Sequence, residues 1–124
     1  MVQGDTSMTG SLTAASKSFD IPHPTKKGWR LRYGVLEGPE HGVYLRGKTQ
    51  ENIIELPEYW TELINENSIS VTLTPIGEPE VHYVKKIENN KIYIDSKSGF
   101  INTFYLIQAE RKDIEKVKIE YKKI

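Results

Sequence analysis

The sequence predicts an all-β domain, an antiparallel sandwich or barrel-like fold with one short helix. Three observations lead there. Apolar and polar residues alternate with a period of two over residues 29–36 and 68–74, the period of a strand with one covered face. An Asn89-Asn90 pair separates two apolar runs, and asparagine tolerates the positive φ that a tight hairpin requires. A single stretch, 57–65, carries helical spacing, with Pro57 suited to a first turn and Tyr59, Trp60, Leu63 and Ile64 on one face.

Taken in chain order, residues 1–17 are small and polar, with Gly4, Gly10, Thr6, Thr9 and Thr13. They read as a flexible leader, or as the end of a fibrous stalk in which Val2, Met8 and Leu12 point to a common axis. From Phe19 the texture is β. Trp29, Leu31, Tyr33 and Val35 share one face while Arg30 and Arg32 take the other, and after the 38–42 turn Val43, Tyr44 and Leu45 begin the return strand. Residues 52–56 form another short strand. Ile69, Val71 and Leu73 oppose Ser70, Thr72 and Thr74 until Pro75 and Gly77 break the run. Residues 81–87 and 92–94 flank the asparagine turn, and a loop at 96–99 precedes a long strand over 102–109. That strand has Phe104, Leu106 and Gln108 on one face and Tyr105, Ile107 and Ala109 on the other. Apolar on both sides, it belongs at the centre of a sheet or at a subunit interface. Val117, Ile119 and Tyr121, alternating with charged residues, predict a last strand.

At 124 residues the chain is one domain. A hydrophobic content of 37% is low for a compact monomer and is expected if subunits share apolar surface. Lys plus Arg and Asp plus Glu number 17 each, so no net field draws in nucleic acid or an anionic membrane, and neither is expected as a partner. The absence of cysteine removes disulfides, thiolate nucleophiles and cysteine-based metal sites. The first 15 residues have no basic, apolar signal-peptide pattern, and no stretch approaches the ~20 apolar residues of a spanning helix.

His23, His41 and His82 titrate nearest neutrality. His23, held between Pro22 and Pro24, either presents its ring to a partner or bonds within the fold. His41, beside Glu40 and four residues after Glu37, lacks any metal-motif spacing; His82 could meet its copies on a three-fold axis, but no metal or other cofactor is expected. Glu37 and Glu40 lie in one turn and cannot flank a sugar from opposite sides as glycoside hydrolysis needs. A structural network of Glu37, Glu40, Arg46, Glu110 and Arg111, within or between subunits, is expected instead, with Arg30 and Arg32 as further partners. No serine-nucleophile, nucleotide-loop or Ser-x-x-Lys motif occurs, so no enzyme is expected. Trp29 and Trp60 are assigned to core or interface, whereas tyrosines near loops could stack on sugar rings. Recognition is expected on loops 48–51, 77–80 and 96–101, with His23, Tyr44, Lys48, Glu51, Glu78, Glu80, Lys97 and Phe100 as candidate receptor-binding residues.

Certain motifs are more particular than strand-and-turn composition. Phe19-x-Ile21-x-His23-Pro24-Thr25-Lys26 leads to Leu36-Glu37-Gly38-Pro39-Glu40-x-x-Val43-Tyr44-x-Arg46-Gly47. Leu56-Pro57-Glu58-Tyr59-Trp60, Ser70-Val71-Thr72-Leu73-Thr74-Pro75-Ile76-Gly77 and Gln108-Ala109-Glu110-Arg111-Lys112-Asp113 follow. Over about residues 16–121 the chain thereby resembles a domain at the tips of bacteriophage tail fibres. The resemblance implies an intertwined homotrimer with a β-rich tip domain at 18–124, located in the virion, assembled in the host cytoplasm and released by lysis. Its implied partners are other virion tail proteins and a host surface glycan or protein. A joining module with no receptor site, or a stand-alone carbohydrate-binding domain, are the other readings. Many such tips continue into a self-cleaving chaperone with a Ser-Asp-x-x-Leu-Lys serine; that motif is absent here, so the expectation is either a chaperone already removed or self-sufficient trimerisation.

Overall fold

A computed structural model describes residues 18–124, in which eight strands form three antiparallel sheets, with one short α-helix and one 3-10 turn at Glu66–Ser68. The leader or stalk reading of residues 1–17 lies outside the described residues. β1 (Ser18–Pro22) pairs with β2 (Arg30–Gly34) in a two-stranded hairpin. β3 (Gly42–Thr49), β8 (Thr103–Glu110) and β5 (Ser70–Pro75) make a sheet with β8 in the centre. β4 (Ile53–Glu55), β7 (Lys91–Ser96) and β6 (His82–Glu88) make another, centred on β7, with a bulge between Val84 and Lys86. The all-β antiparallel class with one short helix is thus observed.

Both three-stranded sheets turn alternate residues into one cluster. Ile92 and Ile94 come from β7, Ile54 from β4, Val43 from β3, and Ile107 and Ala109 from β8. The helix α1 (Trp60–Leu63) adds Trp60 and Leu63, both at 0% exposure. Pro57, Glu58 and Tyr59 accept the first turn's amide hydrogens, so the chain already curls at Pro57 as the sequence predicts. The Asn89-Asn90 turn has φ of 54° and 61°, the left-handed pair of a tight hairpin joining β6 to β7. Asn90 also works at long range: its side-chain amide donates to Leu56 O at 3.1 Å and Pro57 O at 2.9 Å, fixing the approach to the helix. Gly47 lies opposite Tyr105, whose hydroxyl would stand 2.8 Å from any added Cβ, so the ring covers the glycine backbone on the core side.

Three expectations need correction. The strand containing Val43, Tyr44 and Leu45 exists but does not return along β2; it pairs with β8, and β2 pairs with β1. A period of two defines faces and leaves the partner to the longer-range packing. Trp29 is not core. Strand β2 begins only at Arg30, and Trp29 sits in the preceding loop, 64% exposed, with the Lys26 ammonium 4.8 Å from its ring centre. Val117, Ile119 and Tyr121 form no strand, because among the described residues no segment pairs with them, and Ile119 and Tyr121 are exposed.

The hairpin is tied on by aromatic contacts. The Phe19 and Tyr33 rings stack at 5.3 Å, Tyr33 meets Tyr59 edge-on at 6.2 Å, and Tyr59 meets His23 at 5.1 Å. Trp60 donates its indole N–H to the Tyr33 hydroxyl at 3.1 Å, and that hydroxyl shares a 2.7 Å hydrogen bond with Tyr59. Tyr33→Phe would leave the buried Trp60 N–H without its acceptor and should cost about 1–3 kcal/mol in urea unfolding. Burial, then the hydrogen bond with Tyr33, pushes the Tyr59 phenol above its ordinary range. The neutral form is the one the fold favours, so this stabilisation is complete below about pH 10 and declines as pH rises further. Melting temperatures measured from pH 8 to 11 should therefore fall less steeply for Tyr59→Phe than for the unaltered chain.

Candidate functional site

β8 gathers three loops at one end. Its first residue, Thr103, stands between Thr49 at the end of β3 and Pro75 at the end of β5. Ile76 N–H donates to Asn102 O at 2.9 Å, and the Asn102 side chain returns a bond to Ile76 O at 3.3 Å. The second sheet ends here too: His82 pairs with Ser96, Lys97 N–H donates to Val81 O, and Asn52 O accepts from Ile94 N–H. Loops 48–51, 77–80 and 96–101, separated in sequence, thus adjoin one another.

The His82 ring fastens this end. Its Nδ1 faces Glu80 O at 2.9 Å and so carries the proton, while Nε2 accepts from Asn102 N–H at 3.2 Å. The Glu80 carboxylate accepts from Ser98 N–H. Buried Ser96 donates to Phe100 O and accepts from Gly99 N–H at 3.0 Å, where Gly99 holds φ at 90°. Glu51, Glu78, Lys97 and Phe100 are left exposed on this frame, Phe100 at 61%. Glu80 is a loop fastener rather than a free contact group.

Tyr44 lies elsewhere, on the outer face of the β3–β8–β5 sheet, and Lys48 stands on that face where it meets the loop end, beside Glu51, Ile76 and Asn102. The register sets Lys48, Phe104 and Thr74 in one row, Arg46, Leu106 and Thr72 in the next, and Tyr44, Gln108 and Ser70 in a third. Phe104 is 49% and Tyr44 45% exposed. This is the two-sided apolarity read from the 102–109 segment, and β8 is central as expected. Sequence reasoning nominated Tyr44 and Lys48 but missed Phe104, Thr72 and Thr74, since only pairing places the three strands' outward residues side by side.

His23 bonds within the fold. Its ring Nδ1 accepts from Thr25 N–H at 3.1 Å and Lys26 N–H at 2.9 Å, and the His23 backbone N–H donates to Trp29 O at 2.8 Å, so the His-Pro-Thr-Lys motif is a self-capped turn. The arginines pair with aspartates rather than glutamates among the described residues. Arg32 and Arg30 grip Asp20 at 3.1 Å each and hold its carboxyl below the usual range, Arg32 foremost. Arg111, largely buried, forks onto Asp113 at 2.9 and 2.7 Å with its guanidinium 4.0 Å from the Phe19 ring centre. Glu110 takes Lys116 at 2.7 Å. Glu37, Glu40 and Arg46 enter no ion pair among the described residues, so the expected Glu–Arg network does not form within the chain. Among these residues no cluster of three metal-binding side chains occurs.

No family model, no curated protein and no solved structure matches this chain. His82→Ala would remove the two ring bonds, to Glu80 O and from Asn102 N–H, that help lock the loop end. Amide hydrogen exchange should then quicken at Asn102 and Ser98 while the Trp60 region keeps its protection; uniform loss of protection would mean that His82 supports the whole fold.

Proposed function

We propose that the chain is a bacteriophage tail-fibre domain that works as a homotrimer, an intertwined β-sandwich assembly that caps the fibre and contacts the host cell surface. The observation that carries this reading is the meeting of three recognition-type loops at one end of the sheets, on a frame fastened by His82, Glu80 and Ser96. Exposed Phe100, Lys97, Glu78 and Glu51 supply apolar and charged contact groups there. The mechanism is binding without chemical turnover. A three-fold assembly would present three such ends to one surface, turning a weak single-site affinity into useful avidity.

The C-terminal segment supports association. Val117, Ile119 and Tyr121 keep a strand's alternation yet have no ladder among the described residues, and a neighbouring subunit's sheet edge would satisfy both their backbone and their apolar face. Sedimentation equilibrium is expected to give a trimer, and Ile119→Pro, which removes a ladder donor, is expected to shift it toward monomer. A monomer resistant to concentration would overturn the trimeric reading. Host-cell binding that is lost on Phe100→Ala with Lys97→Glu is expected for a receptor tip; unchanged binding, or none, would favour the joining module.

A further inference from the structure

The outer face of the β3–β8–β5 sheet has a chemistry distinct from the loop end, and we infer that it binds an acidic polysaccharide, a chain of sugar rings bearing carboxylates. Its three rows contain two cations, two aromatic rings, one leucine, one amide and three hydroxyls, and no carboxylate. On the next register position Glu110 is mostly covered and already paired with Lys116. Arg46 and Lys48 stand on an exposed face and neither has a carboxylate within 4.0 Å among the described residues, while Glu51 borders Lys48 at one end of the face and Glu37 and Glu40 border Gln108 at the other.

The same face holds a groove of about 540 Å³. Leu106 and Phe104 are its floor, Arg46 and Lys48 stand on the β3 side, and Thr72 and Thr74 stand on the β5 side. A sugar ring has the complementary anatomy. Its C–H face covers an aromatic floor, its hydroxyls exchange hydrogen bonds with threonines, and its carboxylate meets a guanidinium and an ammonium. The two cations are separated by two residues along β3, about 6.8 Å, so they can engage successive acidic groups of an extended chain.

Two other occupants fit less well. A second copy presenting this same face would set cations against cations with nothing to neutralise them. Nucleic acid draws its affinity from many phosphate contacts, and here two cations lie on a chain of zero net charge. The inference rests on the chemistry of this face and does not depend on the fibre reading.

The test is a titration of the full, isotopically labelled chain with polygalacturonate oligomers, alongside neutral malto-oligosaccharides and oligothymidine. Amide shifts confined to β3, β5 and β8, weakened by 0.5 M salt, are expected. Arg46→Gln with Lys48→Gln, and separately Phe104→Ala, should each lower affinity about tenfold. Because these side chains are exposed, melting temperatures should stay within about 2 °C. Equal binding of the neutral oligosaccharide, tighter binding of oligothymidine, shifts at the loop end instead, or no shifts at all would overturn the inference. So would a change of sedimentation mass in the face variants, which would make this face a subunit interface.

Discussion

The joint at Trp60 is what the rest of the architecture depends on. A two-stranded hairpin such as β1–β2 is marginal by itself in water, and here it extends neither of the larger sheets. It is held because the Tyr33 hydroxyl reaches the indole N–H of a fully buried tryptophan while bonding Tyr59. The joint continues through Phe19 to the Arg111 guanidinium, whose fork with Asp113 compensates its charge. The backbone closes the same region: Arg111 N–H donates to His41 O, Lys112 N–H to Leu63 O and Asn65 N–H to Glu110 O. Segments far apart in the chain therefore meet around one side chain.

This closure leaves the two ends of the domain unequal. Arg111 follows the last residue of β8, and Thr103 is its first, so the joint and the loop cluster are separated by roughly 24 Å of strand. Aromatic packing takes up His23, Tyr33 and Tyr59 at the joint. At the other end the polar groups of the loops are spent on fastening one another, and Phe100, Val81, Lys97 and Glu78 face solvent. A rigid frame with exposed, chemically mixed tips is what a binding surface requires.

The outer sheet face follows from the same pairing. Once Ile107, Ala109, Val43 and Leu73 turn toward the core, the pleat obliges Phe104, Leu106, Arg46 and Thr72 to turn away from it. Covering these residues would need a further layer, and among the described residues none lies over them. The outward side of β6 also carries a ring and cations, with Tyr83, Lys85 and Lys86 exposed, but there Lys86 is paired with Glu88 and lies over the Tyr93 ring.

The sequence alone determined what local physics controls. Alternation located β5; Asn89-Asn90 set a hairpin between β6 and β7; Pro57 and the Tyr59–Ile64 spacing placed the helix; and the two apolar faces of 102–109 marked the central strand β8. The loops chosen for recognition do lie together, since turn residues at the ends of neighbouring strands gather at one end of a sheet. Tertiary structure decided what depends on partners distant in the chain. Trp29 and Trp60 have the same chemistry, yet one lies in solvent and the other at the joint, because burial belongs to the surroundings and not to the residue. Arginine and glutamate side chains reach many partners, and strand register gave Arg30 and Arg32 to Asp20 and left Arg46 on the open face. Val117 to Tyr121 carries the pattern of a strand without being one, for a strand exists only when a neighbour's backbone completes its hydrogen bonds.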